Sequence, residues 1–222
     1  MKKFLGVAFV ILLVIIGSIY AGIKLTPEKK LKIFNPVDVN PILVDDSLKN
    51  VAAFHKVNDF ELLDQEGNLT TSRWLDDKIY VVDFFFTTCE TICPVMSSQM
   101  QRASENLKDE TDVKFISFSV LPEQDSVPVL KAYAEQLQID YDQWRLLTGD
   151  KHQIYDLARK SYFALKPTEA GKGDGGKSDF IHTNNFVLVD KNKRIRGYYS
   201  GTNNEDVKRM LEEIRILSSE QM

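Results

Sequence analysis

The two cysteines, Cys89 and Cys93, stand four apart in Thr87-Thr88-Cys89-Glu90-Thr91-Ile92-Cys93-Pro94, where a buried run gives way to a proline. Residues at this spacing meet on one face of a helix, or of the tight turn that leads into it, so both sulfurs can point at one atom. A helix N-terminus favours negative charge and therefore favours thiolate over thiol. Thiolate is the form that attacks a disulfide and the form that binds metal, so the pair reads as redox or metal chemistry. As ligands, thiolates are soft and select copper(I), zinc or iron–sulfur centres over magnesium or calcium. A closed zinc site takes four protein ligands, and the chain has no further cysteine to supply one. Copper(I) accepts two or three soft donors, and imidazole suits either copper oxidation state.

The chain has three histidines, His55, His152 and His182. His182 follows a stretch rich in glycine and lysine and precedes an apolar run. At such a loop-to-strand junction it can face the first helix across a sheet, which makes it the candidate third ligand. His55 and His152 read as structural or surface residues. Met96 and Met100 carry thioethers, but with Cys93, Ala103 and Leu107 they have the spacing of a buried helix face and read as core. Asp179 reads as a solvated loop acid rather than a partner that orients His182.

Several elements must position these residues. Lys78–Thr87 is an almost unbroken apolar and aromatic run, the pattern of a strand covered on both faces. Pro94 sits where a helix begins. The segment 57–71 predicts two strands around the turn Glu66-Gly67-Asn68. Further strands are expected over 113–120, 144–147, 185–190 and 195–199. Helices are expected over 126–137, after the capping Asp150, and through Val207, Met210, Leu211, Ile214 and Leu217. Residues 165–179, with four glycines among charges, read as a surface loop. Strands alternating with helices and a final hairpin predict an α/β domain three layers deep. No internal repeat is present.

At 43% apolar and 27% charged residues the chain is globular, and a net charge of -4 excludes a nucleic-acid footprint. After Met1-Lys2-Lys3, residues Phe4 to Ile23 carry no charge, long enough for a single transmembrane helix. The division expected is an uncleaved anchor over 1–23, a proline-bearing tether over 24–50 and a folded domain over 51–222. A short basic start predicts that the C-terminal part is exported, which for a bacterium means an inner-membrane protein facing the periplasm.

The run from Asp83 to Pro94 resembles the copper-site motif of the Sco/SenC family of cytochrome c oxidase assembly factors. Ser119-Val120-Leu121-Pro122-Glu123-Gln124-Asp125 resembles the family's second landmark, and Leu147-Thr148-Gly149-Asp150 a third. Asp179-Phe180-Ile181-His182-Thr183, followed by Phe186-Val187-Leu188-Val189-Asp190, resembles its histidine region. The likeness spans roughly 57–216. It implies a thioredoxin-like α/β/α fold with an N-terminal hairpin, and one copper, Cu(I) or Cu(II), held by Cys89, Cys93 and His182. It further implies copper delivery to, or thiol reduction at, the dinuclear copper centre of oxidase subunit II, with copper donors or thiol reductants as other partners. Two positions depart from the family pattern: Glu90 replaces a proline, and Leu121 replaces an acid. A carboxylate at 90 is expected to oppose thiolate formation at Cys89. The leading reading is a metallochaperone. The alternative is a thiol–disulfide oxidoreductase with a Cys89–Cys93 redox disulfide, against which stands the absence of proline in Ile181-His182-Thr183. A thiol peroxidase or redox sensor is a weaker third.

Overall fold

The computed structural model describes residues 11–18, 30–164 and 183–220. The chain divides into two units, Met1–Lys30 and Leu31–Met222. In the first, residues 11–18 are helical and exposed. Among the described residues no helix is long and apolar enough to cross a membrane; most of the run from Phe4 to Ile23 falls outside them.

The second unit is built on one sheet of β1 (Glu61–Asp64), β2 (Leu69–Thr71), β3 (Ile79–Phe85), β4 (Val113–Ser119), β5 (Trp144–Thr148), β6 (Asn185–Val189) and β7 (Ile195–Ser200), in the order β2-β1-β5-β4-β3-β6-β7. The helices are α1 (Cys93–Asn106), α2 (Val127–Leu137), α3 (Lys151–Asp156, extended by a wider turn over Leu157–Ser161) and α4 (Asn204–Glu220). Strands β3, β4 and β5 are parallel. Stepping from β3 to β4 to β5 in one direction with right-handed crossovers puts α1 and α2 on one face. Reversal past β3 to β6 puts α3 on the other.

This arrangement explains why every residue of β3 is buried. Ile79, Val81 and Phe85 meet Met96, Met100 and Ala103 of α1, Leu130 of α2 and Val207, Met210, Ile214 and Leu217 of α4. Tyr80, Val82 and Phe84 meet Ile154, Tyr155 and Ala158 around α3. The expected methionine stripe is thus core. The expected first hairpin closes where Asp64 Oδ1 accepts from the Glu66 and Asn68 amides and Gly67 takes φ +83°, a conformation that suits glycine.

Residues 31–50 wrap onto the rest of this unit. Phe34 pairs with Ile195 and stacks edge-on against Tyr198 at 5.5 Å. Val44 is fully buried. The buried Arg196 clasps the entry point, donating to Asp190 Oδ2, to Glu220 Oε2 and to the carbonyls of Leu31 and Lys32. His55 is structural: its ring nitrogen lies 2.9 Å from the Ser161 carbonyl and its ring 4.6 Å from that of Phe163.

Candidate metal centre

Functional groups gather where parallel strands end, because the loops that leave there are free to vary while the sheet stays rigid. Strand β3 ends at Phe85, and Cys89 lies in the loop that joins it to α1; Cys93 is the first residue of that helix. Pro94 fits in the first turn because the amide it lacks has no intrahelical partner there. Both cysteines are free and buried, 7% and 4% exposed.

The helix start aims its first amide at the loop: Cys93 N–H donates to Cys89 Sγ at 3.4 Å. Thr91 Oγ1 lies 3.7 Å from the same sulfur. Burial pushes the Cys89 thiol up, but hydrogen bonds from the Cys93 thiol and amide and from Thr91 outweigh it and bring the thiol down to about 7. Cys93 goes the other way. Burial, the hydrogen bond to Cys89 and the charges of Cys89 and Asp83 push it up to about 12. The expectation that the helix end lowers both thiols therefore holds for Cys89 alone; Cys93 lies too deep among apolar side chains for its own thiolate to be favoured. Glu90 is exposed, and the opposition expected from its carboxylate does not keep Cys89 from falling.

The loop is pinned from β4. Asp125, fully buried, accepts from the Thr87 amide (3.2 and 3.3 Å), the Thr87 hydroxyl (2.5 Å) and the Ser119 hydroxyl (2.5 Å). Ser119 in turn accepts from the Leu121 amide. Asp83 lies within β3, buried, with one carboxylate oxygen unpartnered. Burial, only partly offset by a hydrogen bond with Ser117, raises its pKa to about 7. Beside it, Tyr133 of α2 stacks on Phe85 and shares a hydrogen bond with Ser97 of α1 at 2.8 Å.

Among the described residues no three His, Cys, Asp or Glu side chains gather as a closed metal site. Cys89 and Cys93 supply two soft donors on one loop, a set that suits a soft ion and leaves room for a third ligand. His182, together with the loop 165–179 and Asp179, lies outside the described residues. The strand that His182 precedes is described. β6 runs antiparallel to β3, with Val187 opposite Val82, so the chain enters β6 at the end of the sheet from which the Cys89 loop leaves.

The SCO1/SenC family model matches residues 49–218. The chain belongs to the SCO1/SenC family. It is 32% identical over 167 residues to the SCO1 protein homolog of Bacillus subtilis (strain 168), covering 74% of this chain and 84% of that one. Among solved structures it is similar to BsSco, a member of the Sco family of cytochrome c oxidase assembly proteins in which a disulfide switch has been identified (32% identity, TM-score 0.62, 74% and 94% of the two chains). It shares its fold with copper-bound ScoI of Bradyrhizobium japonicum (24% identity, TM-score 0.54, 72% and 99% of the two chains). The α/β, thioredoxin-like architecture expected from the motifs is the fold of this Sco-family chain. Asp83 and Asp125 both lie within the motif runs, and the sequence alone gives neither a task. The signal available for Asp125 was its place in the second landmark; for Asp83 it was a lone acid inside an apolar strand.

Proposed function

We propose that this Sco-family chain is a membrane-anchored copper chaperone that holds one copper ion as cargo through Cys89, Cys93 and His182 and assists assembly of the dinuclear copper centre of cytochrome c oxidase subunit II. The observation that carries the reading is the juxtaposition of an activated thiol in the loop with a second thiol at the start of α1, at the sheet end where β6 begins. Two thiolates suit copper(I), and an imidazole completes a three-point site that either oxidation state tolerates. Binding requires Cys93 to lose its proton, so loading releases protons and tightens as pH rises. Partner thiolates then displace Cys89 and Cys93 one at a time. The anchor is residues 1–23, in a bacterial inner membrane, with the domain on the periplasmic side.

A second reading is favoured by the split between the two thiols. Cys89 thiolate attacks a partner's disulfide, forming a mixed disulfide and releasing one partner thiol. Cys93, on losing its proton, attacks Cys89 Sγ and releases the second, leaving a Cys89–Cys93 disulfide. This would reduce the partner's copper-site cysteines before copper is delivered.

The test is copper(I) titration of the reduced chain, followed by mixing with an apo subunit II copper domain. One copper per chain, lost in Cys89→Ser/Cys93→Ser and passed to the acceptor, is expected. Wild-type-like copper binding in His182→Ala overturns the role of that ligand. Reduction of the acceptor's disulfide with no copper transfer moves the assignment to the second reading.

A further inference from the structure

One face of α1 carries side chains that the copper chemistry does not use. Val95, Ser98, Gln99 and Arg102 fall at the spacing that brings helix residues onto one face. They form one wall of a cleft of about 450 Å³ that runs from Pro94, the residue after Cys93, to Arg102. Thr202 and Asn204, where β7 turns into α4, form the other wall.

The two walls are fixed by the core and by hydrogen bonds. A Cβ at Gly201 would meet the Phe186 ring at 2.8 Å and Met96 at 3.1 Å, so glycine lets the turn pack this close to α1. Gln99 Nε2 then donates to Asn204 Oδ1 and ties the walls together. The turn is also fastened to the residue before β6. The Gly201 amide donates to the Asn184 carbonyl at 2.6 Å, and Asn184 Nδ2 donates to Ser200 Oγ at 3.0 Å and to Thr202 Oγ1 at 3.5 Å. Because β7 runs antiparallel to β6, the cleft is built at the same end of the sheet as the Cys89 loop.

Its chemistry selects an occupant. Pro94 and Val95 are exposed, Val95 by 45%, and offer an apolar lip at the thiol end. Ser98, Thr202 and Asn204 add uncharged hydrogen-bonding groups. Arg102 is the sole charge in the lining. It is exposed, and no acid among the described residues pairs with it: Glu205 is held by Lys208 and Asp206 by Arg209. Arg102 stands nine residues beyond Cys93, about 14 Å along the helix axis. An extended chain needs about four residues to span that distance.

We propose that this cleft docks an extended segment of the copper acceptor, with an apolar side chain on Pro94 and Val95 and a carboxylate on Arg102. The carboxylate lies four or more residues from the acceptor's copper-binding thiol. This rests on the chain being a copper donor to a thiol-bearing acceptor. A planar guanidinium recognises a carboxylate through paired hydrogen bonds, so it fixes the register of the segment as well as attracting it. Anchoring the flanking segment holds the incoming thiols beside Cys89 and Cys93 and raises their effective concentration for ligand exchange.

The test is copper(I) transfer from the loaded chain to the apo subunit II copper domain at increasing acceptor concentration, together with photocrosslinking from benzoylphenylalanine placed at position 98. Arg102→Glu is expected to keep one copper per chain and the parent's thermal midpoint, yet to need about tenfold more acceptor for half-maximal transfer rate. Val95→Asp, at the apolar lip, gives the same reading should Arg102→Glu not fold. The crosslink should fall on an acceptor peptide bearing an acid, and replacing that acid by lysine should restore transfer from Arg102→Glu. Parent-like half-saturation in Arg102→Glu, or no crosslink to the acceptor while copper still passes, overturns the cleft as a docking site and leaves the chaperone reading in place. Crosslinks between two copies of this chain instead also overturn it, in favour of self-association. A parent chain that loads no copper, or passes none, overturns the chaperone reading and the docking with it.

Discussion

The reduced, metal-free chain should show two thiols of very different reactivity, and the size of the difference follows from the site. At pH 7, Cys89 at about 7 is about half thiolate, whereas a thiol at the ordinary 9.0 is about one per cent thiolate, a gain of about fiftyfold. Nucleophilicity falls as basicity falls, by about tenfold over two units, so the net advantage over an ordinary thiol is about fivefold. Cys93 at about 12 is thiolate in about one molecule in 100,000 at pH 7, and its greater basicity returns a factor of about 300. Cys93 should therefore react about two orders of magnitude more slowly than Cys89. The assay is brief exposure to iodoacetamide across pH 5 to 9, quenching, digestion and mass spectrometric quantification of each cysteine. The Cys89 rate should rise with pH and level off above about 7, while the Cys93 rate keeps climbing. Thr91→Val, which removes one hydrogen bond to the Cys89 sulfur, should move the Cys89 midpoint upward. Equal rates at the two cysteines, or a Cys89 midpoint near 9, would refute the reasoning.

Asp83 should make the protein less stable as pH rises. Its folded pKa of about 7 lies above the ordinary 3.8, so between those values the folded state keeps a proton the unfolded state has lost, and stability falls through that window. Chemical denaturation should show Asp83→Asn gaining on the parent chain by about 3 kcal/mol between pH 5 and pH 8; a difference independent of pH would contradict this. Asp125→Ala leaves the Thr87 amide and the Thr87 and Ser119 hydroxyls without their acceptor, and should lower unfolding free energy by about 3 kcal/mol and bring the two alkylation rates closer together. Arg196→Ala removes one of the two arginines on the buried Asp190, Arg194 remaining, and takes the donor from the Leu31 and Lys32 carbonyls; it should cost about 1–3 kcal/mol by the same denaturation assay and speed proteolysis near residue 31.

Much of this site could be read from the chain because its determinants are local. The apolar run before Thr87 has to be a covered strand, and Pro94 has to open a helix, so the placement of Cys89 and Cys93 between them follows from patterning alone. The strand and helix ends from Val113 to Asp156 and from Asn185 onward follow the same periodicities, and Asp150 caps α3 as expected, accepting from the Gln153 amide. What patterning cannot give is contact across the fold. Asp125 meets Thr87 only because β3 and β4 are parallel neighbours, a partnership spanning 38 residues. The opposite shifts of the two thiols arise from how deeply each lies, and residues four apart look equivalent until the core closes over one of them. The wrap of residues 31–50 shows no period because it is made of short turns and a single bridge, held by Arg196 from the far end of the chain.

The central claim, that Cys89, Cys93 and His182 hold the copper cargo together, is tested most directly by X-ray absorption at the copper edge of the copper(I)-loaded chain and of His182→Ala. The account predicts two sulfur scatterers and one imidazole in the parent chain, with the imidazole alone lost in the variant. An unchanged imidazole contribution in His182→Ala, or a parent spectrum with fewer than two sulfurs, would contradict it.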